Sequence, residues 1–404
     1  MTVPPEFTAP KIAAGLPPGG LPLPTGEQLA QLARCSAALQ ALLRTRGGWL
    51  PFDDYLQQLL YAPGLGYYSA GAAKFGAAGD FITAPEISAL FGNCIARQCA
   101  PLLGAGAALL ELGAGSGALA ETLLHRLSQL QALPRHYYIL EVSADLRERQ
   151  RARLASLPPE LLGRVQWLDA LPAQGLRGVV LANEVADALP FQCFAATDTG
   201  YLERGVGLDA DGNLAWAARA AGAGLLRELE RLAAELPAGF APGFHGELCT
   251  RIDPWVASLA AVLEEGLLLL FDYGLGRKEL YHPQRSAGTL RCHYRHRAHD
   301  DPFLYPGLQD VSAWVDFTRV AEAASSAGLE VAGYCTQAAF LLASGIEQEL
   351  LATPDGAQRA RVSAQARELL MPGEMGETFK AMALTRGVST PLAGFGLQDL
   401  RRLL

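Results

Sequence analysis

A doubly wound α/β sheet is the fold class this sequence predicts. Short apolar runs without polar/apolar alternation recur along the chain, as in parallel strands buried on both faces. Segments with helical spacing separate them. The first run, AALLEL (107–112), breaks into Gly113, Gly115 and Gly117 immediately before a helical pattern, the strand–turn–helix order of that class.

Apolar residues at helical spacing (Leu29, Leu32, Leu39, Leu42, Leu43) predict a helix over 25–46, with Thr25 as its N-cap. A second helix is expected over 51–62, closed by Pro63 and Gly64. Residues 64–88 are rich in Gly, Ala and aromatics and too apolar for a solvated linker. The helix after them is expected to start near Pro85–Glu86, since Pro and an acid suit a first turn. Beyond AALLEL a helix is predicted over Ala118–Leu130, then strand HYYILEVS (136–143) and helix Ala144–Leu154. Strands follow at RVQWLDA (164–170), GVVLANE (178–184) and LLLLFDYG (267–274). A helix over Asp316–Ala327, a strand at LEVAGYCTQ and a final strand at FKAMALTR (379–386) complete the alternation. Residues 190–262 depart from it, with a hairpin (YLERGVGL, turn DADGN, LAWAAR) and a helix at 222–236. So do residues 275–314, dense in Arg, His and aromatics. Both follow C-terminal strand ends, where open α/β sheets build their sites. The expected organisation is a flexible leader (1–24), a helical N-terminal region (25–104), a core (105–189), an inserted α+β segment (190–262) and the rest of the core (263–404).

With 404 residues, half of them apolar, the chain can bury a sizeable core, and a net charge of −8 argues against gripping nucleic acid through bulk charge. The seven cysteines are scattered without a C-x-x-C pair, the pattern of a reducing compartment rather than of a disulfide framework or zinc site. The N-terminal stretch lacks the basic and apolar regions of a signal peptide, and no run approaches the ~18 apolar residues of a membrane span. A cytoplasmic location is therefore expected. The apolar face of 25–46 could pack on its own domain or on a second copy, in a homodimer.

The ligand of the glycine turn is narrowed by its neighbours. G-A-G-S-G is not the dinucleotide pattern G-x-G-x-x-G, and no G-x-x-x-x-G-K-[ST] occurs. Glu111, directly before the turn, would repel a pyrophosphate but could pair with a cationic amine. Glu141, with Val142 beside it at the end of the second strand, sits where a carboxylate receives ribose hydroxyls. Asp169 holds the matching place after the third strand. Together these fit S-adenosylmethionine, which carries a cationic centre, a ribose and no phosphate. The alternative is a plain turn whose glycines serve packing only.

LLELGAGSGALA, YYILEVSADLRERQ and GVVLANEVADALP resemble motifs of class I S-adenosylmethionine-dependent methyltransferases. LLYAPGLGYYS (59–69), KFGAAGDFITAPEISALFG (74–92) and GTLRCHYRHRAHDDP…QDVSAWVDFT (288–318) narrow the resemblance to the MidA-like family. It covers residues ~50–386 and implies a Rossmann-like, seven-stranded methyltransferase sheet with a helical N-terminal region and inserted subdomains. It also implies protein arginine methylation, because the family's mitochondrial member methylates a subunit of respiratory complex I. On this resemblance Gly113, Gly115 and Gly117 form the cofactor loop and Glu141 binds ribose. Phe81, Thr83 and Pro85, in the GDFITAPE signature, cover the cofactor. Asn183, Glu184 and Asp187 stand beside the methyl donor, and Asp272–Tyr273–Gly274 ends the fifth strand.

Methylating a guanidinium requires its charge to be drawn away from the attacking nitrogen, and carboxylates forked against it do this while fixing its plane. Glu184 and Asp187 are the expected clamp, with Glu86 as a third carboxylate. The competing reading of Asp187 is an N-cap, that of Glu86 a first-turn acid and that of Asn183 a backbone tether. His293, His296 and His299 recur every third residue, but without Cys or a tight H-x-x-x-H pair no metal is expected. A basic wall or a patch for an acidic partner is the favoured reading of 291–299. Tyr67 and Tyr68 could line a substrate channel or belong to the core. Methylation of a small molecule, or a cofactor-binding scaffold with little catalysis, are the other readings of the whole.

Overall fold

The computed structural model describes residues 20–69, 82–104, 106–173, 175–353 and 356–404. The chain divides into two compact units. One gathers residues 82–189, 249–285 and 313–404; the other gathers the segments up to 81 with 190–248 and 286–312.

The first unit is the doubly wound sheet. Its strands are β1 (Ala108–Leu112), β2 (His136–Leu140), β3 (Val165–Leu168), β4 (Leu176–Asn183), β5 (Leu263–Leu275), β6 (Glu330–Thr336) and β7 (Phe379–Arg386). They lie in the order β6-β7-β5-β4-β1-β2-β3, parallel except for β7, which runs antiparallel to both its neighbours. Successive residues along each strand enter opposite cores, as the two-residue period of a strand requires. Leu109, Val179, Leu181, Leu267 and Phe271 pack on one face with Phe91, Leu123 and Leu127 from helices α1 (Ala89–Cys99) and α2 (Ala118–Gln129). Leu110, Val180, Leu268 and Leu270 pack on the other with Val256 and Val320 from two further helices, Ile252–Val262 and Phe317–Ser326. Each such fully buried Leu or Val contributes about 1.5–3 kcal/mol. This double burial is why the strands read as unbroken apolar runs.

The expected elements of this sheet appear within a few residues of their sequence-based bounds, and the helix after β2, α3 (Ala144–Leu154), matches both ends. The helix expected from Pro85 is broken at Ser88, which is extended and caps α1 with its own hydroxyl. Residues 249–262, expected in the inserted segment, belong instead with the sheet: they form the helix Ile252–Val262 that leads directly into β5.

In the second unit the hairpin strands Gly200–Leu208 and Leu214–Ala220 are joined by antiparallel strands Gln192–Thr197 and His245–Leu248, and by Leu50–Pro51. The helix Gly26–Thr45 is closed by a capping box between Thr25 and Gln28. Its Leu32, Cys35, Leu39 and Leu43 are buried within this single chain, so its apolar face no longer argues for a second copy. Tyr67 is buried, and Tyr68 stacks on Tyr61 while its hydroxyl donates to Asp310 at 2.9 Å.

The Arg/His-rich stretch folds as Arg291–Tyr294, Arg297–His299 and Asp310–Ser312 in a small antiparallel sheet. Arg295 and His296 form its hairpin turn, both at positive φ (47° and 61°). Arg295 Nη2 donates to Gln28 Oε1 at 2.7 Å, and Tyr294 donates to the same oxygen at 3.2 Å. Part of this basic segment therefore fastens the N-terminal helix of its own unit. Among the described residues, no group of His, Cys, Asp or Glu is arranged to hold a metal ion.

Candidate active site

The site lies at the C-terminal ends of β1, β2, β4 and β5, around the point where connections leave the sheet in opposite directions from β1 and β4. The glycine turn follows β1. Gly113, Gly115 and Gly117 all have positive φ (61°, 52° and 85°), a region that costs an ordinary residue about 1–2 kcal/mol. Gly117 is the left-handed residue from which α2 starts. Gly113 N–H is held by Leu140 O at 3.0 Å, which ties the turn to β2.

Glu141, at the end of β2, is buried, and its Oε1 accepts the Ser143 amide at 2.9 Å. Its Oε2 accepts from Gln150 of α3 at 3.1 Å, and the same Gln150 nitrogen donates to Gly115 O at 3.0 Å. Val142 beside it is 77% exposed, an apolar side chain displayed next to a buried acid. Asp169, after β3, has an exposed carboxylate engaged at 2.6 Å by Arg147, whose other nitrogens bond Glu141 O and Leu168 O. Arg147 thus fastens the ends of β2 and β3 together.

Glu111 is buried in β1 and accepts the Tyr137 hydroxyl at 2.6 Å. Burial pushes its pKa up to about 7, the charge of Glu141 adds to the rise, and the Tyr137 bond opposes it. A carboxyl raised in the folded state contributes stability that is fully present below its ordinary value and lost as pH rises through 7. Glu111→Gln should therefore leave the melting temperature of the ligand-free protein nearly unchanged at pH 4.5 and raise it by a few degrees at pH 8. Scanning fluorimetry across that range measures the difference; a gap that shrinks toward pH 8 would contradict the buried charge.

β4 ends in Asn183. Its Nδ2 donates to Glu184 Oε1 at 3.1 Å, while its Oδ1 is buried without a partner among the described residues. Glu184 follows at φ +53°, an uncommon conformation for a non-glycine residue, with its amide bonded to Phe271 O of β5 at 2.9 Å. The turn then brings Asp187 back to β5. Asp272 Oδ2 accepts the amides of Ala186 (3.0 Å) and Asp187 (3.2 Å), and the Tyr273 hydroxyl donates to Asp187 Oδ2. Asp187 stands at the start of a turn rather than of a helix. Burial, then the charges of Asp187 and Glu184, hold the Asp272 carboxyl well above the usual carboxylate range. The charges of Asp187 and Glu184 beside it favour a cation near them.

Glu86, expected as a third carboxylate of that cluster, is instead bonded to Ser116 of the glycine turn and paired with Arg153 at 3.3 Å. Arg153 also holds Ser116 (2.6 Å) and Glu121 (2.9 Å), so Glu86 braces the turn against α2 and α3. Thr83 is buried just before the short helix Ala84–Ile87, with Pro85 in its first turn. Phe81 lies outside the described residues. Sequence reasoning missed Gln150, Ser116 and Arg153 as parts of the site, and named Tyr273 only within the motif that ends the fifth strand, without its bond to Asp187.

Residues 94–335 match the model of a family described as S-adenosyl-L-methionine-dependent methyltransferases. The chain belongs to this family. A crystal structure from Burkholderia thailandensis, described as a methyl transferase bound to S-adenosyl-homocysteine, is 41% identical with a TM-score of 0.90 and covers 95% of this chain and 100% of that one. The protein arginine methyltransferase NDUFAF7 of Danio rerio is 29% identical over 82% of each chain; its human counterpart is 28% identical over 83% of this chain and 80% of its own. Both are named as mitochondrial proteins, as are those of mouse and cattle, and this overturns the expectation of a cytoplasmic location.

The cofactor is S-adenosylmethionine, and the residues present suit it. The three left-handed glycines give the turn a course that side chains would strain, and among the described residues no donor meets the buried Asn183 Oδ1. The buried carboxyl groups of Glu111 and Glu141 beside the turn would oppose a phosphate.

Proposed function

We propose that this methyltransferase acts on an arginine side chain of a protein, with Glu184 and Asp187 gripping the guanidinium. The observation that carries the reading is the short turn after β4, which sets two carboxylates beside Asn183 and is clamped from β5 by Asp272 and Tyr273. The names of the relatives support the same substrate.

In this reading Glu141 holds the ribose with Val142 against the adenine, Asp169 lies at the base, Asn183 accepts from the cofactor's ammonium and Glu111, its pKa pushed up to about 7 by burial, adds a partial negative charge behind the turn. When bound, S-adenosylmethionine supplies an electrophilic methyl on a sulfonium. The chain's own task is orientation and charge. Glu184 and Asp187 fork against the guanidinium, hold its plane and draw positive charge toward themselves, leaving electron density on the remaining nitrogen. Tyr273 fixes the Asp187 carboxylate from behind. Transfer to a guanidinium leaves one proton in excess, and Glu184, half-buried and able to exchange with solvent, takes it up. Glu86 enters as part of the cofactor's enclosure by bracing Ser116, with Thr83 and Pro85 setting the start of that wall.

The resemblance seen in the sequence makes a respiratory complex I subunit the first substrate to try. The test is incubation with labelled S-adenosylmethionine and a cell extract, followed by acid hydrolysis. Label recovered as methylarginine supports the reading; label confined to small molecules, or to other amino acids, overturns it. A homodimer is part of the proposal only if light scattering gives twice the chain mass.

A further inference from the structure

We infer that Gln150 is the positioning residue that selects ribose over deoxyribose in the cofactor, by orienting Glu141. The inference rests on cofactor binding at Glu141. Gln150 is fully buried, one polar side chain among the charged residues of α3. Its amide has one orientation only. The Trp167 indole N–H can donate and never accept, and it meets Gln150 Oε1 at 3.0 Å. Nε2 must then face Gly115 O and Glu141 Oε2, which can only accept; each of its two hydrogens has one of them. With the Ser143 amide donating to Oε1 and Gln150 to Oε2, a donor holds each oxygen of Glu141 and fixes the plane of its carboxylate, the plane that a pair of neighbouring ribose hydroxyls must meet.

The same nitrogen joins the two halves of the cofactor loop. A shift of the glycine turn at Gly115 would pull Gln150 from Glu141, so the turn and the ribose acid move as one. The glutamine also presents donors to a buried carboxylate, where any acceptor would repel it. Glu141 is thereby kept in the rotamer that two hydroxyls need.

The test compares S-adenosylhomocysteine with its 2′-deoxyribose analogue by titration calorimetry in the full chain. The wild-type protein should bind the analogue about tenfold less tightly, the worth of one hydrogen bond to a charged acceptor. Gln150→Met, of similar volume and without donors, should lose about tenfold in S-adenosylhomocysteine affinity but bind the analogue nearly as the wild type does, so that the penalty for the missing hydroxyl shrinks to twofold or less. Trp167→Phe frees the amide to turn over and should shrink the penalty in the same direction by less; it decides the matter if Gln150→Met does not fold. An undiminished hydroxyl penalty in both variants, with equal losses for the two ligands, overturns the inference and makes Gln150 a structural brace of the turn. A wild-type protein that binds neither ligand would instead remove the ribose site on which the inference rests.

Discussion

Glu184→Gln should lower the turnover number by about 10²–10³ while S-adenosylhomocysteine affinity stays within about twofold. The substitution keeps the length of the side chain and the acceptor that Asn183 Nδ2 uses, so the turn after β4 is undisturbed. It also leaves the left-handed φ of residue 184 equally strained, because the conformational cost falls on any side chain of this kind. What disappears is one negative charge aimed at the substrate cation. Arginine remains protonated at all relevant pH values, so the clamp must polarise it rather than deprotonate it beforehand. Asp187→Asn should act in the same direction, and the double variant should lose much less than the product of the two, because both carboxylates act on one guanidinium. Single-turnover assays on the substrate protein measure the rate, and calorimetry measures the cofactor. Unchanged turnover in both variants would place the acceptor's contacts elsewhere and leave Glu184's strain without a chemical purpose.

How the site could be read from sequence follows from how local its parts are. The glycine turn, Glu111, Glu141 and Asn183–Glu184 sit at strand ends, and strands buried on both faces announce themselves as apolar runs. A polar residue ending such a run is therefore visible without any knowledge of contacts. Gln150 carries no such mark: within RERQRARL it looks like one more residue on a solvated helix face, and only Trp167 and Gly115, distant in sequence, make it a buried bridge. Asp272 was visible as the end of a strand, but its bonds to the amides of residues 186 and 187 depend on β4 and β5 being neighbours. Glu86 read as a carboxylate for the substrate because acidity is legible and pairing is not; Arg153 supplies the partner from 67 residues away. The two-unit division was equally hidden, since three segments far apart in the chain assemble the second unit. The compartment was misread for a related reason: unpaired cysteines report reducing surroundings and do not say which compartment provides them.

Glu141→Ala should weaken S-adenosylhomocysteine binding by at least about a hundredfold. Hydrogen bonds to a charged acceptor are worth about 1.5–3 kcal/mol each, and a ribose places two hydroxyls on this one carboxylate. The loss is larger than for Gln150→Met because the acceptor itself is gone rather than its orientation. Removing it leaves the Ser143 amide and one hydrogen of Gln150 without their bonds, a cost of about 1–3 kcal/mol for each group that water does not reach. The melting temperature of the ligand-free variant must therefore be measured beside the affinity. Relief of the repulsion from Glu141 should also move the Glu111 carboxyl back toward its ordinary range, so the variant's stability should vary less between pH 5 and 8 than that of the wild type. The contrast with Glu184→Gln separates the two halves of the site: one variant binds cofactor and does not turn over, the other fails to bind and loses turnover only at limiting cofactor. An affinity within about fivefold of wild type would move the ribose away from Glu141. It would also leave the Ser143, Gln150 and Trp167 network as packing around a buried charge that no ligand uses.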